Sequence, residues 1–470
     1  MARRTFQNLD AEARALHDSW DHIARLVFVT SMVALVVWGA CTLLRMAVHA
    51  SWHALLHALE HTGAWWSAGL LVGGLVLAGA ARGLLLRRWP EWQEAAGDGM
   101  EVALSNYHVT YQREGDDPQP RYERAAFGLA LRKAVMTWLT LGPGGSGGLE
   151  APTVLMAESL SAGVSRVMQV RSEFELRTYQ LAGMAAAVAT LLGAPFTAAL
   201  FATEVAYGDR IIYRKLAYCM WAAVVAYFLN NRLYAYEPLF PAPVHGATYR
   251  LTEYAATAIV AVAVSAPAAV GFGFVMTQTR KLVARVRPEL HGAVTGLATA
   301  AVALLVWRGL GIGPEHVLGM GEETVSGLLA GDPALGAWWV LCAVLLGRLA
   351  TTALTQSSGG SAGLLVPTMV VGAVAGGLTA QILDATGAMS DLDRRCSPWS
   401  AWRAGSSRWS GCRSRRSRWC WRCSARVRPA GDPRLRRHLP ADAQVHAVRR
   451  SAREPGSRRR RDGLRLERRA

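Results

Sequence analysis

One carboxylate stands inside text that is otherwise apolar and small. In Leu139–Val154, "LTLGPGGSGGLEAPTV", Glu150 lies between a glycine run and Pro152. Glycines let a backbone approach a ligand closely. Proline is favoured in the first turn of a helix, where its missing N–H costs nothing. The first N–H groups of that helix lack intrahelical partners and carry partial positive charge. A loop of this kind leading into a helix can therefore cradle an anion. A glutamate at the same place competes with that anion.

The motif has a partner 215 residues further on. Gly148-Leu149-Glu150-Ala151-Pro152-Thr153-Val154 matches Gly363-Leu364-Leu365-Val366-Pro367-Thr368-Met369, and "GPGGSGG" before the first matches "SSGGSAG" before the second. Duplicated halves are common in transporters, whose sites form where interrupted helices meet near mid-membrane. Two readings of the pair remain open on these residues alone. Either two helix starts converge on one anion, or both are kinks with packing roles. A phosphate-binding loop of the nucleotide-hydrolase type is excluded, because Lys and Ser/Thr do not follow the glycines.

The elements that must position these loops are hydrophobic. Of the 470 residues, 51% are hydrophobic, and Leu26–Leu44, Ala64–Ala81, Tyr179–Thr203, Tyr254–Thr279 and Leu349–Leu383 contain no Asp, Glu, Lys or Arg. A membrane-spanning helix needs about 20 mostly apolar residues. Leu216–Asn231, His291–Trp307 and Pro333–Gly347 are shorter candidates. The expected fold class is all-α, a polytopic membrane protein with roughly ten hydrophobic segments. The first 25 residues are charged and amphipathic, unlike a signal peptide, and are expected to be a cytoplasmic segment. Cys41, Cys219 and Cys342 lie in hydrophobic runs and read as small apolar residues. Cys420 and Cys423 form a lone C-x-x-C, too little for a zinc site. No enzyme activity, cofactor or metal is expected.

The chain resembles the CLC chloride channels and chloride/proton exchangers. "GGLEAPTV" is similar to the family's G-K/R-E-G-P motif, and "GGSAGLLVPTM" to its G-x-F-x-P motif. Leu181–Ala206, "LAGMAAAVATLLGAPFTAALFATEVA", is similar to the long helix that follows the first motif, and "RLATTALTQSSG" fits the approach to the second. The resemblance covers about Ala64 to Leu383. It implies a CLC-like fold of two inverted halves with interrupted helices at the anion site, and usually two subunits, each with its own pore. It implies that Glu150 is the gating glutamate, which occupies the anion's place when ionised and swings out when protonated. It further implies an anion site made by Gly148, Leu149, Ala151 and Pro152 on one side and Gly363, Leu364, Leu365, Val366 and Pro367 on the other. The implied partners are chloride or a similar small anion, the lipid bilayer of a bacterial cytoplasmic (inner) membrane, and a second copy of the chain.

Four departures from the family pattern bear on mechanism. The serine loop that precedes the first motif in the family has its nearest match in Gly97-Asp98-Gly99, a candidate inner pore loop in which Asp98 repels an anion while ionised. Val205 aligns with the position where exchangers commonly carry a proton-relaying glutamate and channels commonly carry valine. Glu204 beside it is a candidate for a proton path. Leucine replaces phenylalanine in Gly363–Pro367, and Ala151 replaces a glycine after Glu150. The expected function is passive anion conduction, with chloride/proton exchange as the alternative.

The tail reads differently. Residues 394–470 hold 24 Arg and no Lys against 5 acidic residues, a balance of +19 out of the chain's +17, which leaves the rest at −2. That segment contains no Lys, Asn, Ile, Phe, Tyr, Thr or Met. Shifting the reading frame so that each new codon takes its last two bases from the first two of the old one turns Trp and Cys into Leu, Met or Val. The same shift turns most Ser into apolar residues and CGN-coded Arg into Ser, Pro, Thr or Ala. The expectation is a CLC-like transmembrane domain over 26–393, C-terminally incomplete, followed by an out-of-frame translation of the last transmembrane helices. On that reading the chain could be a non-functional truncated remnant. The competing readings are a basic tail that contacts lipid phosphates or nucleic acid; no nucleic-acid partner is expected.

Overall fold

Helices make up all the regular structure among the described residues. The long apolar runs require this, because inside a bilayer each backbone N–H and C=O must be satisfied within the protein. The computed structural model describes residues 11–109, 126–170, 172–206, 213–234 and 251–385. These belong to one unit, Met1–Gly411; a second, Cys412–Ala470, and the whole segment 394–470 lie outside the described residues.

In chain order the helices are α1 (Ala11–His61), α2 (Ala64–Arg88), α3 (Met100–Val109), α4 (Ala126–Leu141), α5 (Glu150–Val167), α6 (Glu173–Leu192) and α7 (Pro195–Val205). There follow α8 (Tyr213–Tyr234), α9 (Leu251–Val283), α10 (His291–Leu304), α11 (Glu322–Ala330), α12 (Trp338–Ser357) and α13 (Leu365–Ala385). Four stretches are long and apolar enough to cross a membrane: Ile23–His61, Trp65–Arg88, Pro288–Gly309 and Trp338–Ser357. Exposed leucines such as Leu43, Leu77, Leu84 and Leu131 cover the outside. Exposed tryptophan pairs, Trp65-Trp66 and Trp338-Trp339, open α2 and α12. Such rings suit the boundary between lipid and water.

The hydrophobic runs are divided more finely than their lengths suggest. Tyr179–Thr203 is two helices: Gly193 (φ 64°) ends α6 with its N–H on the Ala189 carbonyl, and Pro195 starts α7. Leu349–Leu383 is split by the glycine-serine loop before α13. Pro333–Leu335 is a single 3-10 turn, so the helix expected from Pro333 begins at Trp338. Leu26–Leu44 belongs to the 51-residue α1, which passes residue 25 without a break.

Two close packings organise the fold, and the first of them joins the halves. On α2, Gly79 and Gly83 face the carbonyls of Gly292 and Glu289, while Gly292 and Gly296 face those of Gly79 and Leu75. A methyl at Gly79 or Gly292 would strike backbone on the other helix. Small residues spaced by four bring helix backbones together where lipid supplies no hydrophobic drive. On the other side of the fold, α6 carries the fully buried Ala185-Ala186-Ala187 and packs on α5, α8 and α1. Gly79→Val is expected to lower the thermal midpoint of the purified protein in detergent, since overpacking costs about 1–3 kcal/mol. Gly69→Ala, with open space around it, should leave the midpoint unchanged. Equal midpoints for both variants would contradict this crossing.

Candidate anion site

The two glycine loops are held by the same bonds in duplicate. Each loop hangs from the helix before the other one. Ser146 donates its N–H to Thr355 Oγ1 (3.2 Å), and Ser361 donates its N–H to Thr140 Oγ1 (3.0 Å). The Ser146 and Thr352 hydroxyls pair at 2.7 Å, and those of Ser361 and Thr137 at 2.8 Å. Within each loop Gly145 N–H reaches the Thr140 carbonyl and Gly360 N–H the Thr355 carbonyl. Gly144 (φ 99°) and Gly359 (φ 74°) take the left-handed backbone that makes these turns. All these partners are related by the 215-residue offset.

The loops meet in a two-residue antiparallel bridge. Gly148 N–H donates to the Gly363 carbonyl (2.8 Å), and Gly363 N–H donates to the Gly148 carbonyl (2.6 Å). Immediately after it, α5 starts at Glu150 and α13 at Leu365. The first turns also match. Thr153 returns its N–H to Leu149 and its hydroxyl to Glu150, as Thr368 does to Leu364 and Leu365. No side chain caps α5 at Leu149. Pro152 and Pro367 sit in these first turns, so the free donors are the amides just before them. The structure thus brings Gly148, Leu149, Glu150, Ala151 and Pro152 together with Gly363–Pro367.

Glu150 closes this space. Its side chain folds back over the bridge, so that Oε2 lies where a Gly148 side chain would project and near the equivalent point of Gly363. A side chain at 148 would push the Glu150 carboxylate out of this position. The residue is 8% exposed, and Oε2 is buried with no hydrogen-bond partner. A buried carboxylate oxygen in that condition is costly unless a proton or a nearby positive potential compensates it, and two helix starts supply the potential.

Two buried cations stand behind the loops, again in corresponding positions. Lys133 on α4 donates to the carbonyls of Gly97 (2.8 Å) and Ala95 (3.2 Å). Arg348 on α12 donates to those of Gly319 (2.8 Å) and Leu318. They anchor Gly97-Asp98-Gly99 before α3 and Gly319-Met320-Gly321 before α11. Gly97 N–H also reaches the Gly359 carbonyl (3.3 Å), and Gly319 N–H the Gly144 carbonyl (3.1 Å). The candidate inner loop therefore touches the second glycine loop. Asp98 accepts the Met100 N–H of α3 (3.3 Å) and interacts electrostatically with Lys133, which offsets its charge. Glu204 is exposed at the last turn of α7 beside half-buried Val205. Among the described residues no hydrogen bond or ion pair joins Glu204 to the loop pair. The serine-threonine lock and the two cations were not picked out from the sequence, although extending the 215-residue offset back to Lys133 and Arg348 finds them.

A family model described as voltage gated chloride channel matches residues 73–394. The chain belongs to the CLC family. Among curated CLC relatives, it is 25% identical over 305 residues to the voltage-gated ClC-type chloride channel ClcB of Escherichia coli O81 (strain ED1a). It is 24% identical over 305 residues to ClcB of Shigella flexneri. Each alignment covers 64% of this chain, and the chain spans 66% of each relative's length, just under two thirds. Its fold is similar to that of a slow cyanobacterial Cl−/H+ antiporter, with TM-score 0.63, 17% identity, and 81% and 84% of the two chains covered. It is also similar to a CLC-type fluoride/proton antiporter, with TM-score 0.59, 20% identity, and 77% and 82% covered. The all-α CLC fold expected from the paired motifs is the one observed.

The duplicated lock makes a paired test. Thr355→Val leaves the Ser146 N–H without its acceptor, and Thr140→Val leaves both the Ser361 N–H and a buried Arg82 donor without theirs, at about 1–3 kcal/mol for each orphaned donor. Both should lower the thermal midpoint in detergent, Thr140→Val by more. Unchanged midpoints would show that the loops do not depend on these bonds.

Proposed function

We propose that this CLC protein moves chloride or a similar small anion across a bacterial cytoplasmic membrane, and that Glu150 is the gate. The observation that carries the reading is the Glu150 carboxylate folded over the Gly148–Gly363 bridge, between two helix starts that favour negative charge. A carboxylate and an anion cannot both occupy that space. Protonation removes the carboxylate's claim on the helix ends and frees the site. Gly148, Leu149, Ala151, Pro152 and Gly363–Pro367 line the anion's place, and chloride is held by backbone amides rather than by a full positive charge.

Passive conduction is favoured over chloride/proton exchange. Val205 stands at the position of the expected relay carboxylate, and exposed Glu204 supplies no buried substitute. The solved relatives named as antiporters keep exchange as the second reading. Gly97-Asp98-Gly99 forms the inner end of the path, where Lys133 offsets Asp98. The protein works as a homodimer with one path per subunit.

The segment 394–470 is read as an out-of-frame translation. The family match stops at residue 394, where the arginine-rich text begins. In addition, α5 is buried along nearly its whole length, whereas α13 exposes Leu365, Thr368 and Met369. The helix that covers α5 is α6, and its counterpart by the 215-residue offset starts at residue 388, outside the described residues. Sequencing the gene around codons 385–400 decides this point, and an intact frame shared with relatives would reject it.

In liposomes carrying the chain with its frame restored, Glu150→Gln should make chloride efflux nearly independent of pH. Efflux of the unmodified protein should rise as pH falls. Unchanged pH dependence in the variant would reject the gate role. A chloride gradient that drives proton uptake would replace conduction with exchange.

A further inference from the structure

A third guanidinium or ammonium group lies buried near the loops, and it lacks a counter-charge. Arg82 stands on α2 between Gly79 and Gly83, at the crossing with α10, and is 7% exposed. Arg87, nearer the end of the same helix, is exposed and pairs with Glu289 at 2.7 Å. Arg82 has neither outlet. Among the described residues no carboxylate lies within ion-pair distance of it. A guanidinium has five N–H donors. The one bond that Arg82 makes among the described residues runs from Nη1 to Thr140 Oγ1 (2.8 Å), and Nε is buried with no partner.

Arg82 borders a small cavity together with Thr140, Gly145, Gly296, Thr299 and Thr355. About 10 Å³ of it is open to the centre of a water-sized particle. On α10, Thr295 returns its hydroxyl to the His291 carbonyl (2.7 Å). Thr299, one turn on and buried, makes no hydrogen bond through its hydroxyl among the described residues. The ends of α4 and α12 also reach this space, and helix ends carry partial negative charge. Their carbonyls are already engaged. That of Thr140 accepts the Gly145 N–H, and that of Thr355 accepts the Gly360 N–H and the Ser358 hydroxyl. A water in the cavity brings no charge, whereas a buried cation in a membrane domain needs one.

We propose that this cavity is a second anion site, in which Arg82 and Thr299 hold one small monovalent anion, chloride or another halide, behind the loop pair. The guanidinium supplies the charge and the hydroxyl a further donor. This is a different chemistry from the backbone amides at the Gly148–Gly363 bridge. The space takes a monatomic ion and rejects a polyatomic one such as sulfate. A full charge at this depth keeps its ion, so the anion is resident rather than in transit. Thr140 and Thr355 line the same space while accepting the Ser361 and Ser146 N–H groups. The resident anion therefore joins α2 and α10 to the lock between the halves. The site does not depend on the reading of Glu150 as the gate.

The test uses crystals of the full chain in which bromide replaces chloride, measured at the bromine absorption edge. An anomalous peak is expected against Arg82 and Thr299, separate from any at the bridge. No peak there at molar bromide overturns the proposal. Peak height against bromide concentration gives each site its own binding curve. Thr299→Val, which removes a hydroxyl outside the loop lock, should move the half-point at Arg82 to about tenfold higher bromide, the worth of one hydrogen bond to a charged group, and leave a bridge peak unmoved. An unmoved half-point at Arg82 means an adventitious ion only, and also overturns the proposal. Arg82→Gln should abolish the peak; if that variant does not fold, Thr299→Val still decides. A peak at Arg82 with none at the bridge in Glu150→Gln crystals upholds this site and counts against the bridge as the anion's place.

Discussion

The site depends on one short contact, the reciprocal backbone bonds between Gly148 and Gly363. They bring two helix starts to one place inside a bilayer, where unpaired backbone is tolerated only if protein encloses it. With Glu150 folded over the contact, a side chain at Gly148 would meet its carboxylate and one at Gly363 would be tight against the Ala151 N–H. Threonines on α4 and α12 hold each loop from the opposite half. The contact is therefore the point at which two copies of one folding unit interlock.

The electrostatic design follows from the same duplication. Lys133 and Arg348 spend their donors on backbone carbonyls before α3 and α11. Their charge fixes loops and is not offered whole to a passing anion. What remains at the centre is the weak, directed potential of helix starts. On the proposed reading, an anion and the Glu150 carboxylate compete for that potential. A full ammonium at that depth would bind an anion without releasing it readily.

Much of this was legible in the sequence because the repeat is arithmetical. Glu150 and the Gly363 motif announce the site, and the same offset pairs Thr137 with Thr352, Thr140 with Thr355 and Ser146 with Ser361. The break at Gly193 was also written in the text, as Gly-Ala-Pro, but an uncharged run hides such punctuation when only length is read. The approach of Glu322 to His49 was not legible. It joins α1 and α11 across more than two hundred residues of chain, and no periodicity records which helix ends meet. The role of Val205 also depends on where α7 ends, which spacing alone does not give.

The central claim is competition between the Glu150 carboxylate and an anion for one pair of helix starts. The most direct measurement is the proton count of chloride binding. Chloride is titrated calorimetrically into the purified protein near neutral pH, in buffers of different ionisation enthalpy. Competition requires that binding take up protons, because the displaced carboxylate becomes protonated, and that Glu150→Gln take up none. Chloride binding by the unmodified protein without proton uptake would contradict the account.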